Sequence, residues 1–361
     1  MSALGGLVIA DFGRVLAAPY ATMVLADLGA EVVKIEHPRG DETRAWGPPH
    51  ARGEATYFLS VNRNKTSAVL DLATADGRAA ARGIALGADV VVENFRPGTM
   101  ARFGLSYEDL RTVHPGLVYC SVTGFGAGRG RDLPGYDLLV QAVGGLMSVT
   151  GSRPGEPVKT GVALVDVLTG IHAAVGILAA LRHRDATGEG QLVEVDLLSV
   201  LLSSMVNQSA GYTAAGVVPG IMGNRHPSIA PYELVETADR PMVLAVGNDR
   251  QFAKLCAALA APELAADPRF ATNGERVAHV DALMALLNPR LRLRTAHQWF
   301  EALTPLGVPC GPVNDLAGAF DLAANLGLEP VVAVDGLNLV ANPIRLSRTP
   351  ATYRLPPPPL S

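Results

Sequence analysis

The N-terminal part of the chain alternates between short apolar runs and segments whose apolar residues recur at helical spacing. The apolar runs predict strands over residues 7–11 and 31–36, and the segment 18–28 between them predicts a helix that ends at Gly29. The alternation continues with strands predicted over 66–72, 89–93, 116–122 and 191–197, and with helices predicted over 74–86 and 106–113. Strands that alternate with helices predict an α/β domain built on a parallel sheet.

The pattern changes beyond residue 212. Residues 198–212 predict one long apolar helix, and residues 214–227 are punctuated by Gly and Pro, as in a linker. Two short apolar runs, over 231–237 and 241–246, then predict a hairpin. Helices are predicted after it, over residues 249–259, 276–287 and 295–306.

These patterns predict two domains. The large one covers residues 1–200 and is completed by 325–361, and a linker over 201–228 leads to a smaller α+β domain over 229–315. Residues 316–361 form a return segment and a Pro-rich tail. We expect the tail, from residue 342 on, to lie extended over a partner surface.

One carboxylate, Asp166, stands alone between an apolar run and a segment with Ile171, Val175, Leu178 and Leu181 at helical spacing. This pattern places Asp166 at or near the N-terminus of a helix. Free backbone N–H groups and the helix dipole stabilise negative charge there, so we expect Asp166 to be ionised at neutral pH and able to act as a nucleophile. The alternative is structural, because Asp is among the commonest N-cap residues.

Polar and glycine-rich turns follow two further predicted strands, at residues 94–98 and 123–130. In open α/β sheets, ligands bind outside the carboxyl ends of the strands. The candidates to face a substrate are therefore Asn94, Phe95, Arg96, Arg102 and the loop 123–137. For each arginine alone, a solvated surface position is the alternative.

The turn after the first strand lacks the Gly-x-Gly-x-x-Gly spacing that lets a pyrophosphate approach a helix N-terminus. Glu36, at the end of the second strand, occupies the position from which a dinucleotide-binding fold holds the ribose. Without the glycines, this is only a weak indication of an NAD site.

The composition and charge of the chain argue against several classes of protein. The 361 residues are 48% hydrophobic and carry a net charge of −4, with no Lys/Arg-rich block that would make nucleic acid a main partner. The three cysteines, Cys120, Cys256 and Cys310, are widely spaced, which favours neither a disulfide framework nor a metal site and indicates a reducing cytoplasm. No basic leader opens the chain, and Glu194 and Asp196 interrupt the apolar run 192–206, so we expect no membrane span.

Several segments, in this order and spacing, resemble family III CoA-transferases, the family that includes formyl-CoA and carnitine CoA-transferases and the α-methylacyl-CoA racemases. The resemblance covers nearly the whole length. The matching segments are 8–12 (VIADF), 25–36 (LADLGAEVVKIE), 62–65 (NRNK), 70–71 (LD), 92–98 (VENFRPG), 134–137 (PGYD), the Asp166 segment, 190–191 (GQ), 223–227 (GNRHP) and 308–313 (VPCGPV).

The resemblance implies a Rossmann-like large domain, a smaller domain and a homodimer of two chains threaded through each other as interlocked rings. It also implies an acyl-CoA:carboxylate CoA-transferase in which Asp166 attacks the acyl-CoA thioester and forms first an anhydride and then an aspartyl-CoA thioester. Acyl-CoA and a carboxylic acid acceptor would be its substrates. No metal or further cofactor is expected.

The family positions that bind CoA are carried over to Val15, His37, Leu70, Asn94, Phe95, Arg102 and Tyr136. The chain departs from the formyl-CoA enzyme in having His37 in place of an arginine and Leu16 in place of a glutamine, and it lacks the tetraglycine loop between residues 211 and 232. These departures argue against formyl-CoA or oxalate specificity. Arg39 is a substitute for the missing arginine in contacting a CoA phosphate.

Two alternatives remain. A racemase would use a His and an Asp, with a Glu near the mouth, but Tyr136 occupies the position of the His, and Asn248-Asp249 that of the Glu. Tyrosine, with a pKa of about 10, is a poor base at neutral pH. The other alternative is a paralogue that binds acyl-CoA without catalysis.

Overall fold

A computed structural model describes residues 2–360. The chain forms two compact units. The first contains the residues up to 147, residues 159–218 and the residues from 327 on, and the second contains 148–158 and 219–326. The predicted small domain, 229–315, falls inside the second unit.

In the described residues of the first unit, six strands form one large sheet. The strands of this unit before residue 218 are β1 (Val8–Asp11), β2 (Glu31–Glu36), β3 (His50–Ala51), β4 (Glu54–Ala55), β5 (Lys65–Val69), β6 (Val90–Glu93), β7 (Val118–Thr123) and β8 (Leu192–Asp196). The large sheet has the order β5-β2-β1-β6-β7-β8, and every neighbouring pair is parallel. This is the doubly wound order in which the direction of winding reverses between β1 and β6. The predicted parallel sheet is confirmed.

The helices of this unit cover both faces of the sheet. They are α1 (Ala17–Asp27), α2 (Thr56–Val61), α3 (Ala75–Leu86), α4 (Thr99–Arg102), α5 (Tyr107–Arg111), α6 (Asp137–Val143), α7 (Leu164–Thr187), α8 (Leu197–Ser204) and α9 (Val206–Ala215). Along β6, Val90 and Val92 face the core shared with α1 and α7, whereas Val91 faces the core shared with α3 and α5. Burial on both faces explains why the central strands β1 and β6 are mostly continuous apolar runs rather than alternating ones.

The long helix α7 packs closely against α1. A Cβ atom at Gly170 would lie 2.6 Å from the carbonyl oxygen of Ala17, so only glycine permits this approach. By length and composition alone, α7 could span a membrane, but its residues Val165, Ala173 and Ile177 are buried in the protein core. Its packing fixes the start of α7 next to the turn that follows β1.

The apolar helix predicted over 198–212 is two helices, α8 and α9. The chain breaks between them at Met205 and Val206, where Val206 has a φ of 39°. The run contains Gly211, but no Gly or Pro lies at the break itself.

The second unit has its own sheet and core. Its strands are β9 (Tyr232–Val235), β10 (Met242–Ala245) and β11 (Cys310–Pro312), and its helices are α10 (Asp249–Ala258), α11 (Asn273–Ala278), α12 (Val280–Leu291), α13 (Ala296–Leu303) and α14 (Leu316–Asn325). The predicted hairpin is β9 and β10, which pair antiparallel. The helix predicted over 276–287 is instead α11 and α12, separated at His279.

The chain returns to the first unit through an antiparallel pair, β12 (Val331–Val334) and β13 (Leu337–Val340). Residues 342–360 have no helix or strand. The surface beneath them belongs to their own chain: Thr352 N donates to Asp27 O at 2.8 Å, and Asn64 N donates to Leu355 O at 2.9 Å.

Candidate active site

Asp166 is the third residue of α7, as the sequence predicts for a helix start. It is not the N-cap, which is Ala163, a residue whose side chain cannot cap a helix. Among residues 2–360, no side chain or backbone group donates a hydrogen bond to the Asp166 carboxylate. The structural alternative, in which Asp166 serves as a cap, is therefore not what the fold uses.

The cap is supplied by Asp137, the first residue of α6. Its Oδ2 accepts hydrogen bonds from the backbone N of Val165 at 2.8 Å and of Asp166 at 3.3 Å. Its Oδ1 accepts from Gln141 Nε2 at 2.5 Å, and Gln141 Oε1 in turn accepts from Thr160 N at 2.9 Å. Asp137 ends the loop 123–137 that was predicted to face a substrate, but no capping role was predicted for it. The missed signal is that a helix beginning at residue 164 has no Ser, Thr, Asn or Asp at its own N-cap.

The expectation that Asp166 is fully ionised at neutral pH is wrong. Burial, and then the negative charge of Asp137, raise the pKa of Asp166 to about 7. The backbone N–H groups that were expected to stabilise its charge are bonded by Asp137 instead. Burial, followed by the charges of Asp166, Asp137 and Asp41, also raises the pKa of nearby Tyr57 to about 12.

Asp166 lines a cavity of about 170 Å³ at the carboxyl ends of the central strands. Its walls come from the turns after β1, β6 and β7 and from the start of α8. Val15, Asn94, Phe95 and Tyr136, which were predicted to bind CoA, line the same cavity. Arg14, Leu16, Arg96, Thr123 and Arg131 line it as well.

A second cavity of about 400 Å³ lies at the carboxyl ends of β2 and β5. Its lining includes His37 and Leu70 from the predicted CoA set, together with Arg39. His37 Nδ1 accepts a hydrogen bond from Arg39 N at 3.0 Å, which leaves the other ring nitrogen of His37 exposed. Arg102, the remaining predicted CoA contact, lines neither cavity and donates to Thr99 Oγ1 on α4 at 3.3 Å.

Arg14, Glu42 and Phe95 line both cavities and so lie at their junction. The Arg14 guanidinium stacks on the Phe95 ring at 4.8 Å and pairs with Glu42 at 3.1 Å. Asn94 joins the two turns beneath them, since its Oδ1 accepts from Arg14 N and its Nδ2 donates to Arg14 O, both at 2.8 Å. The two cavities therefore adjoin each other, and we refer to them together as the groove.

A buried network of charges supports the floor of this groove. Lys65 Nζ lies 3.0 Å from Asp11 Oδ2, and Lys34 Nζ lies 3.0 Å from Asp41 Oδ2. Burial alone would raise the pKa values of Asp11 and Asp41, but the lysines lower both below the usual range. Asp41 Oδ2 also accepts from Val15 N at 3.3 Å, which anchors a valine held at a φ of 66°.

Glu36 cannot serve as the ribose ligand of an NAD site. Its two oxygens accept hydrogen bonds from Arg44 Nη2 at 2.8 Å and Arg44 Nε at 3.0 Å, and also from Ser67 Oγ and Asp41 N. Within residues 2–360, no group of three or more His, Cys, Asp or Glu side chains is placed to hold a metal ion.

Fold and site together define a class: doubly wound α/β proteins that hold an elongated ligand at the switch point of the sheet, with a carboxylate at one end of the groove. The chain belongs to CoA-transferase family III, whose model matches residues 4–361. It is a CoA-transferase of this family.

Named relatives extend over most of the chain. A succinate–glutarate CoA-transferase of Agrobacterium fabrum is 42% identical over 99% of this chain and 92% of the relative. An acetyl-CoA:oxalate CoA-transferase of Acetobacter aceti is 39% identical over 95% of this chain and 88% of the relative. The crystal structure of a CAIB/BAIF family protein from Brucella suis superposes with a TM-score of 0.89 at 40% identity, covering 99% of this chain and 96% of that one.

Proposed function

We propose that the protein transfers CoA from an acyl-CoA thioester to a free carboxylic acid through a covalent intermediate on Asp166. The observation that carries this proposal is a carboxylate with no hydrogen-bond donor, at one end of a groove long enough to have two cavities. Asp166 is half-buried, and partial burial without a hydrogen-bond donor is unfavourable for a charged carboxylate. Carboxylates in such surroundings cluster at functional sites.

The groove suits the length and polarity of CoA. The larger cavity, with His37 and Arg39 at its edge, takes the adenosine and phosphate end. The pantetheine arm passes the Arg14–Phe95 junction, and the thioester reaches the smaller cavity beside Asp166. Asn94 supports this path indirectly, since both of its amide atoms hold the backbone of Arg14.

The reaction balances in four steps. The Asp166 carboxylate attacks the thioester carbonyl and expels the CoA thiolate, which leaves a mixed anhydride. The thiolate then attacks the aspartyl carbonyl and releases the donor acid. The acceptor carboxylate attacks the resulting aspartyl-CoA thioester and expels the thiolate again. Finally, the thiolate attacks the acyl carbonyl of the second anhydride, which yields the new acyl-CoA and frees Asp166.

Chemical trapping of the covalent intermediate on Asp166 tests this mechanism. The protein mixed with an acyl-CoA should carry an activated carbonyl at Asp166, and hydroxylamine should convert it to a hydroxamate that peptide mass mapping locates. A free carboxylate does not react, so protein without acyl-CoA and the Asp166→Asn variant are the controls. Fast turnover with Asp166 unmodified would exclude the covalent route and leave direct transfer between the two substrates.

The relatives' names guide the choice of substrates. Succinyl-CoA with glutarate is the first pair to assay, followed by acetyl-CoA with oxalate and a panel of other dicarboxylic and aromatic acids. New thioesters would be identified by mass spectrometry. A protein that binds CoA but exchanges it with none of these acids would instead fit the non-catalytic paralogue.

The racemase alternative has a separate test. Tyr136 is 59% exposed at the edge of the cavity that Asp166 lines, where a racemase would hold a His. We expect no deuterium to enter the α-position of a 2-methylacyl-CoA in heavy water. Rapid incorporation would favour the racemase.

The functional unit we propose is a homodimer of interlocked chains. On α7, Ile171, Val175 and Leu178 form an exposed apolar stripe, and they are 39%, 60% and 36% exposed. In the second unit, α14 has no buried residue at all among its described residues Leu316–Asn325. A second copy of the chain would cover both surfaces, and sedimentation equilibrium should give twice the chain mass.

A further inference from the structure

The start of α7 holds two carboxylates and no cation. Asp137 receives three hydrogen bonds, two from the backbone of α7 and one from Gln141. Among the described residues, no Lys, Arg or His lies within ion-pair distance of either Asp137 or Asp166. Gln141 is fully buried, and its link to Thr160 ties α6 to the segment that leads into α7. The position of the Asp137 carboxylate is thus fixed by both the backbone of α7 and the side chain of Gln141.

We propose that Asp137 is a positioning residue for the nucleophile: from the neighbouring helix α6 it holds the first turn of α7 and places a negative charge beside Asp166. This inference rests on the proposed function, in which Asp166 attacks the thioester. It assigns the two carboxylates different roles: Asp137 caps the helix, so that the Asp166 carboxylate remains unbonded and able to react.

The geometry explains why the cap comes from another helix. A cap residue within α7 would bond the same N–H groups but would leave the nucleophile facing the positive end of the helix dipole, which stabilises an anion and weakens its attack. Asp137 places a negative charge at that end instead. Val165 N and Asp166 N both donate to Asp137 Oδ2, so these two donors are not directed at the Asp166 carboxylate.

The other charged and titratable groups near Asp166 come from several elements. The charge of Asp166 is among those that raise the pKa of Tyr57 on α2, and Tyr136 precedes Asp137 and lines the cavity. Arg14, Glu42, Arg96 and Arg131 line the rest of the cavity. Arg14 is paired with Glu42, and the acid that raises the pKa of Asp166, after burial, is Asp137. Removing the charge of Asp137 is therefore the direct way to test the coupling.

The test compares neutral replacements that still cap the helix. Asp137→Asn keeps an oxygen for the backbone N–H groups but removes the charge, and Asp137→Ser is a second neutral cap should the asparagine variant not fold. The matched control is Asp185→Asn, which removes an exposed carboxylate from the same helix roughly 28 Å farther along. Titration of Asp166 is followed by ¹³C NMR of carboxyl-labelled aspartate, with its resonance assigned by loss in Asp166→Asn.

We expect the Asp166 titration to move to lower pH by about one pH unit in the neutral-cap variants and to stay unchanged in Asp185→Asn. The acid limb of kcat should move with it, and the plateau rate should fall with KM little changed, because a less basic carboxylate is a weaker nucleophile. A folded Asp137→Asn or Asp137→Ser protein with an unmoved Asp166 titration would overturn the proposal and make Asp137 a structural cap only.

The NMR titration needs no substrate, so it separates this inference from the proposed function. If the titration moves but hydroxylamine never modifies Asp166, the coupling between the two carboxylates stands and the covalent mechanism fails. If Asp166 is trapped but its titration does not move, the mechanism stands and the role given to Asp137 fails.

Discussion

Two pairs of carboxylates in the first unit, one buried and one half-buried, have opposite electrostatic surroundings. Asp11 and Asp41, beneath the β1 turn, each lie 3.0 Å from a lysine, and their pKa values are lowered. Asp137 and Asp166, at the start of α7, have no cation within ion-pair distance among residues 2–360, and the pKa of Asp166 is raised to about 7. The first pair supports the floor of the groove, and the second contains the group that we expect to react.

Lack of a cation does not by itself mark a nucleophile. Glu93 is buried, and burial raises its pKa to about 7 although Ser121 and the backbone of Phe95 donate hydrogen bonds to it. Glu93 lines neither cavity, whereas Asp166 lines one and accepts no hydrogen bond. A candidate nucleophile therefore needs three features together: burial, access to a cavity and freedom from donors.

The largest effect is expected at the nucleophile. Asp166→Ala and Asp166→Asn should each lower CoA transfer by at least about 10³-fold, because no other carboxylate that lines the cavity is free of partners. Circular dichroism and sedimentation should show an unchanged fold and assembly. Substantial activity in either variant would remove Asp166 from the mechanism.

The next largest effect is expected on the free energy of unfolding, when a residue of the buried charge network beneath the groove is replaced. Asp11→Asn leaves Lys65 buried without its paired acid, at a cost on the order of 3–5 kcal/mol. The midpoint of urea unfolding should fall accordingly. The double variant Asp11→Asn/Lys65→Met should recover part of the loss, since it removes the unpaired charge, and no recovery would mean that Asp11 acts through Gly13 and Thr22 instead.

Replacing the nucleophile should have the opposite effect on stability. The pKa of Asp166 in the folded state, about 7, lies above the unfolded value near 3.8, so the folded protein loses stability as the pH rises between these values. Asp166→Asn should remove this penalty and raise the melting temperature by about 2–4 °C above pH 7. Below pH 4 the two proteins should melt together, and a pH-independent difference would point to packing rather than charge.

The smallest effect on activity is expected at Glu93. Glu93→Gln keeps an acceptor for Phe95 N and lies outside the cavities, so we expect transfer to fall by less than about tenfold. At pH values above 7, the melting temperature of Glu93→Gln should be higher than that of the unchanged protein, as for Asp166→Asn. A loss comparable to that of Asp166→Ala would show that burial and a raised pKa matter more than access to the cavity.

Much of the first unit could be predicted because its signals are local. The run 31–36 is β2 to the residue, and Ser106 with Asp109 forms the capping box that starts α5. Spacing likewise placed Asp166 near a helix start. Where no Gly or Pro marks a boundary, as at Met205 between α8 and α9, the same reasoning failed.

What the sequence determined by itself was the alternation of strands and helices, the family and the identity of the lone carboxylate, because each depends on residues close together in the chain or on a whole pattern. The tertiary structure alone decided the state of that carboxylate. Asp137 precedes Asp166 by 29 positions, and only the packing of α6 beside α7 brings its Oδ2 to the first turn. Burial and neighbouring charge, which set a pKa, are properties of the folded surroundings and not of the residue.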